Sequence, residues 1–155
     1  MTIDRKALAD EGFVKIEMRD SDGFVETAWA QRTDPDRDEF RLDNNPFYAY
    51  RVSAGDVVEG ESISPGMYRF VRVVRPSGNR SIRVAFETFK ADAPEAEPIL
   101  AGLNSLGCDY EGMFDRVIAV NIPPNVDLAR VADFLTETGI RWEYANPTYS
   151  DLFGD

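Results

Sequence analysis

The chain has 155 residues, 43% of them hydrophobic, and 17 basic against 28 acidic residues give a formal charge of −11. It has no histidine and one cysteine, Cys108, which excludes Ser/His and Cys/His nucleophile systems, histidine metal sites and an internal disulfide. Such an acidic chain repels phosphate backbones and attracts basic partners, so no nucleic-acid role is expected.

The opening MTIDRKALADEG lacks the apolar core of a signal peptide, and no apolar run approaches the roughly 18 residues of a membrane span. With the lone cysteine this predicts a cytoplasmic protein that stays off membranes. FVKIEM (13–18) alternates apolar and polar positions and predicts a strand. Asp20, Ser21, Asp22 and Gly23 predict a hairpin turn, and FVETAWA (24–30) the returning strand. The charged loop DPDRDE (34–39) leads to a short strand, FRLD (40–43). Ala54, Gly55 and Asp56 form a further turn, VVEGES continues from it, MYRFVRVV (67–74) is the longest strand signal, and RPSGN (75–79) ends it. Several short strands at close spacing predict a small, strongly bent β-barrel or roll over residues 1–78.

From residue 79 the rhythm changes. SIRVAFETF (81–89) predicts a strand and APEAEPILAGLNSLG a helix, with Pro98 in its first turn, an apolar stripe of Ile99, Leu103 and Leu106, and Gly107 just past its end. CDYEGMF (108–114) and RVIAVNI (116–122) predict two more strands. VDLARVADFLTETG predicts a second helix, capped by Asn125 or Asp127, striped by Leu128, Val131 and Leu135 and closed by Gly139. IRWEYAN (140–146) is the last strand. The order strand–helix–strand, strand–helix–strand predicts a ferredoxin-like βαββαβ sandwich over 79–155, so the fold class is α+β. The helix-free face, with Arg83, Ala85, Glu87, Val117, Ala119 and Asn121, is small or polar.

Few residues point to chemistry. Cys108 follows a helix C-terminus, where the dipole disfavours a thiolate, and reads as a packing residue. No phosphate-binding glycine loop is present. Asp34, Asp36 and Asp38 open with the spacing of a calcium loop, but its sixth position would be Glu39 rather than Gly and its twelfth Asn45 rather than Glu. No catalytic, cofactor or metal residue is therefore nominated. Glu26, in a strand, is expected to pair with an arginine of a neighbouring strand. Trp29, Trp142 and Tyr144 read as core or sheet-face residues, because an RNA-binding sheet wants basic residues beside its aromatics and the stretch from Asn79 carries 6 basic against 13 acidic residues.

The run ETAWA (26–30), then FRLDNNPFYAYRVSAGDVV (40–58), then SGNRSIRV (77–84), resembles the bacterial domain-of-unknown-function family 4265. The Asn-Pro-Phe and Gly-Asp-Val-Val pair is the most specific part, and the resemblance extends from about Phe13 to Phe153. It implies a small bacterial protein of the cytosolic type and no particular activity. Within this run Asn44, Asn45, Pro46, Phe47 and Tyr48 predict a structural corner: Asn44 tolerant of left-handed backbone and able to bond its own turn, Asn45 extended before Pro46, and Phe47 and Tyr48 turned inward to plug the barrel.

The function that fits is a non-catalytic protein binder, an immunity protein or antitoxin that neutralises a basic toxin. Asp34, Asp36, Asp38, Glu39, Glu111, Asp115 and Glu143 are its candidate contact residues. The alternative is a ligand-sensing or regulatory ferredoxin-like module that pairs with a second copy; an enzyme working through carboxylates alone ranks last.

Overall fold

The computed structural model describes residues 12–113 and 115–155. They form a mixed α+β structure that divides into two compact units between Ser77 and Gly78.

The first unit holds five strands: β1 (Phe13–Arg19), β2 (Val25–Arg32), β3 (Glu39–Leu42), β4 (Val57–Ser64) and β5 (Met67–Arg75). Each pairs antiparallel with the next, and β5 returns to pair in parallel with β1, so the sheet closes into a barrel. Closure leaves no free strand edge. Alternation places Ile16, Met18, Ala28, Ala30, Phe40, Leu42 and Val58 inward, where they are buried together with Val52. The β1–β2 turn is fixed by Asp20, whose carboxylate accepts the Asp22 and Phe24 N–H groups at 2.9 Å, and by Gly23 at φ 87°.

The second unit holds β6 (Arg80–Ala85), a short 3₁₀ turn (Pro94–Ala96), α1 (Glu97–Ser105), β7 (Asp109–Met113), β8 (Val117–Ile122), α2 (Leu128–Thr138), β9 (Arg141–Asn146) and α3 (Tyr149–Phe153). Its sheet runs β7-β8-β6-β9 with every pair antiparallel. Ile82, Val84, Ile118, Val120 and Ile122 pack with Ile99 and Leu103 of α1 and Val131 and Leu135 of α2 into one core. Asp127 caps α2 by accepting the Ala129 N–H at 3.0 Å, and Gly139 ends it in left-handed backbone. Phe114, with which the sequence reading closed the strand before β8, lies outside the described residues. The short α3 was not expected. Thr148 and Asp151 form its reciprocal capping box.

Candidate functional site

The chemistry of the first unit begins at the asparagine corner. Asn44 Oδ1 accepts the Trp29 N–H at 3.0 Å, and Asn45, 2% exposed, accepts the Ala54 N–H at 2.6 Å. Asp56, also 2% exposed, accepts from Ser53 at 2.9 Å and Ser77 at 2.8 Å. These side chains satisfy backbone donors that no strand pairs.

Two expectations fail here. Among the described residues Glu26 meets no arginine; its carboxylate accepts the N–H groups of Phe47, Tyr48 and Ala49 at 2.7, 2.6 and 2.9 Å. Three successive amides converge on one anion, a nest that already supplies what a guanidinium would. Phe47 and Tyr48 do not plug the barrel either: both are only half-buried, Tyr48 stacks on the exposed Phe24 ring at 5.7 Å, and Val52 with Ala49 completes the core. The backbone anchorage at Glu26 decides where the aromatics go.

The acidic loop lies between β2 and β3. Asp34 accepts the Asp36 N–H at 2.8 Å and faces Arg37 at 3.9 Å; Asp38 pairs with Arg32 at 3.0 Å; Glu39 faces Arg75 at 3.7 Å. These contacts make it an ordered turn. Beside it lies an open groove of about 650 Å³ lined by Asp38, Glu39, Glu59, Glu61, Arg37 and Arg72 among others. Glu39 stands directly opposite Glu59 across the β3–β4 ladder, and Glu61 follows two residues on, so three glutamates share the outer face. Val58 is buried on the inner side, and at Gly60 a β-carbon would come within 2.9 Å of Tyr68. Arg72 reaches Glu59 at 3.2 Å, while Glu61, opposite Arg69, forms no ion pair among the described residues. Sequence reading missed Glu59 and Glu61; their alternation with Val58 and Gly60 was the available signal.

The other candidates fall in the second unit. Glu111, Ala119, Arg83 and Glu143 form one cross-strand row on the helix-free face. Arg83, 6% exposed, faces Glu143 at 3.6 Å. Asp115 sits in the β7–β8 turn with φ 59°, its carbonyl accepting the Ala91 N–H at 2.7 Å. Cys108 is buried, and burial, helped by Asp109 and opposed by Arg80, pushes its thiol up to about 11. That chemistry is a packing residue's. No helix among the described residues is long and apolar enough to cross a membrane.

Compared with known proteins, residues 26–144 match the family model described as a domain of unknown function, DUF4265. No curated protein matches the chain. A solved structure described as a hypothetical protein from Neisseria gonorrhoeae is 18% identical over 90% of this chain and 96% of its own, with a TM-score of 0.67; the likeness is one of fold.

Proposed function

The chain belongs to the DUF4265 family, and from that premise we propose that it is a non-catalytic, cytoplasmic protein-binding module of the immunity-protein or antitoxin kind, which captures and neutralises a basic toxin. One observation carries this reading: Glu39, Glu59 and Glu61 are gathered on the outer face of β3 and β4 along an open groove. Like charges placed opposite each other across a ladder cost stability; Arg75 and Arg72 offset part of that at Glu39 and Glu59, and an arriving cationic surface supplies the counter-charge that Glu61 lacks among the described residues. The exposed Asp36 at the neighbouring turn and the net charge of −11 extend the same field, which speeds encounter with a basic partner. The second unit, with its order β7-β8-β6-β9 and two covering helices, is read as a ferredoxin-like scaffold.

The test is affinity capture from the native host with the whole chain and with a Glu59→Gln/Glu61→Gln variant, across a salt series. The expected result is a basic protein retained by the wild-type chain, lost at high salt and weakly held by the variant; co-expression of the chain should then relieve that protein's toxicity. Equal capture by the variant, or capture indifferent to salt, counts against the reading.

A further inference from the structure

The outer face of the helix layer in the second unit carries charges that its own helix leaves unmatched. An open groove of about 400 Å³ runs between α1 and α2, with Gly102, Ser105 and Leu106 on one side and Arg130, Phe134 and Glu137 on the other. A second hollow shares Ser105, Leu106 and Arg130 and continues it past the start of α2. The α1 wall has no charged side chain from Pro98 to Ser105. Val131 and Leu135 of α2 are buried in the core, so Arg130 and Glu137, two turns apart, stand exposed on the opposite side of that helix.

Both charges sit at the wrong end of α2. The helix has no acidic residue in its first turn and no basic residue in its last. Arg130 occupies the first turn, where the backbone dipole is positive, and Glu137 the last, where it is negative, so each is repelled by the helix that carries it. Neither is neutralised nearby. Asp133 lies one turn from Arg130, yet among the described residues Arg130, Asp133 and Glu137 form no ion pair. A partner of one charge sign would match only half of this face: a basic surface suits Glu137 and repels Arg130, and an acidic surface does the reverse.

A second copy of the same helix matches both. Laid antiparallel about a two-fold axis between Asp133 and Phe134, it brings the start of one α2 beside the end of the other. Each Arg130 then faces Glu137 of the second copy and the negative end of its helix, and the contact occurs twice, as a self-complementary interface requires. Packed helices lie about 8–10 Å apart, within reach of these long side chains. The uncharged α1 wall lets the incoming helix settle over the groove, covering Leu106 and Phe134, which are only half-buried in the single chain.

We propose that this face, centred on Arg130, Phe134 and Glu137, is the interface through which two copies of the chain pair about a two-fold axis. It uses no residue of the acidic groove on β3 and β4, and the inference stands without that groove.

The test is sedimentation equilibrium of the full chain, from micromolar to sub-millimolar concentration. Both copies carry −11, so it is run at about 0.15 M salt, where that repulsion is screened. The wild-type chain is expected to pass from monomer to dimer over this range. Arg130→Glu or Glu137→Arg sets like charges face to face and should weaken the dimer at least tenfold. Each also removes a clash with its own helix dipole, so at concentrations where the wild-type chain is monomeric its thermal midpoint should rise; a variant that merely misfolds would show a fall. An equimolar mixture of the two single variants should dimerise where neither does alone, because the mixed pair restores both opposite-charge contacts. The proposal is overturned if the wild-type chain stays monomeric throughout, if either variant dimerises as tightly as the wild-type chain, or if the mixture stays monomeric.

Discussion

At the scale of the residue, the corner was half legible. The run Asn44, Asn45, Pro46 announces a turn, because asparagine side chains bond nearby backbone and the residue before proline is driven extended. Nothing in sequence said that Glu26, some twenty positions upstream, would hold it, since the contact depends on how β2 sits against the loop. Glu26→Gln tests the nest: an amide offers one acceptor oxygen, and its NH₂ group faces donors. With hydrogen bonds to charged groups contributing about 1.5–3 kcal/mol each, and Glu26 half-buried, a net loss of about 2 kcal/mol is expected in urea unfolding. An unchanged midpoint would mean the amides are equally well served by water. Cys108 gives a second residue-scale prediction. Its folded thiol is raised to about 11 from 9.0, so the folded state holds its proton longer than the unfolded chain. The stability this brings is fully present below pH 9 and is lost as pH rises towards 11, at up to about 1.4 kcal/mol per unit. Cys108→Ala should flatten that segment of the stability–pH curve; identical curves for the two proteins would refute it.

At the scale of the element, strands and helices with local signals were easy to read. Gly23, Asp127 and Gly139 mark their turn and caps through their own backbone preferences. The closure of the barrel was not readable in detail, because the β1–β5 pairing is parallel and joins segments about fifty residues apart. The packing of α1 on α2 was hidden for a similar reason. Gly102, inside α1, reads as a helix weakener, yet a β-carbon there would fall 2.1 Å from the Phe134 ring of α2. Alanine at this position gains about 1 kcal/mol of helix propensity but displaces a ring packed against the core, at about 1–3 kcal/mol. Gly102→Ala should therefore destabilise by about 1 kcal/mol, and adding Phe134→Leu should recover part of it, a coupling that a double-mutant cycle in urea measures. Additive losses would show that the two sites do not touch; a more stable Gly102→Ala would show that the ring simply moves aside.

At the scale of the whole molecule, charge is the dominant quantity, and two effects of salt oppose each other. Screening weakens ion pairs, but exposed pairs are worth at most about 1 kcal/mol each and often nothing. Screening also relieves the repulsion of a chain carrying −11. The balance differs between the two halves. Positions 79–155 carry 6 basic against 13 acidic residues, leaving 11 against 15 for the rest. Ion pairs in the first unit include Arg19–Glu17, Arg32–Asp38, Arg37–Asp34, Arg72–Glu59 and Arg75–Glu39, and those in the second include Arg83–Glu143 and Arg141–Glu87. Repulsion should therefore win clearly in the second unit and be partly offset in the first. Each unit holds one tryptophan, Trp29 and Trp142, so Trp142→Phe and Trp29→Phe variants report on them separately. Between about 0.01 M and 0.15 M salt the screening length falls from about 30 Å to about 8 Å. Over that range the thermal midpoint seen by Trp142 should rise by a few degrees, and that seen by Trp29 by less, because roughly 1 kcal/mol moves the midpoint of an 80-residue unit about 4–8 °C. A Trp142 midpoint that stays fixed or falls with salt would mean that the local pairs outweigh the net charge. The acidity would then be a poor guide to how this surface meets a cation, and the case for electrostatic capture of a basic partner would lose its physical basis.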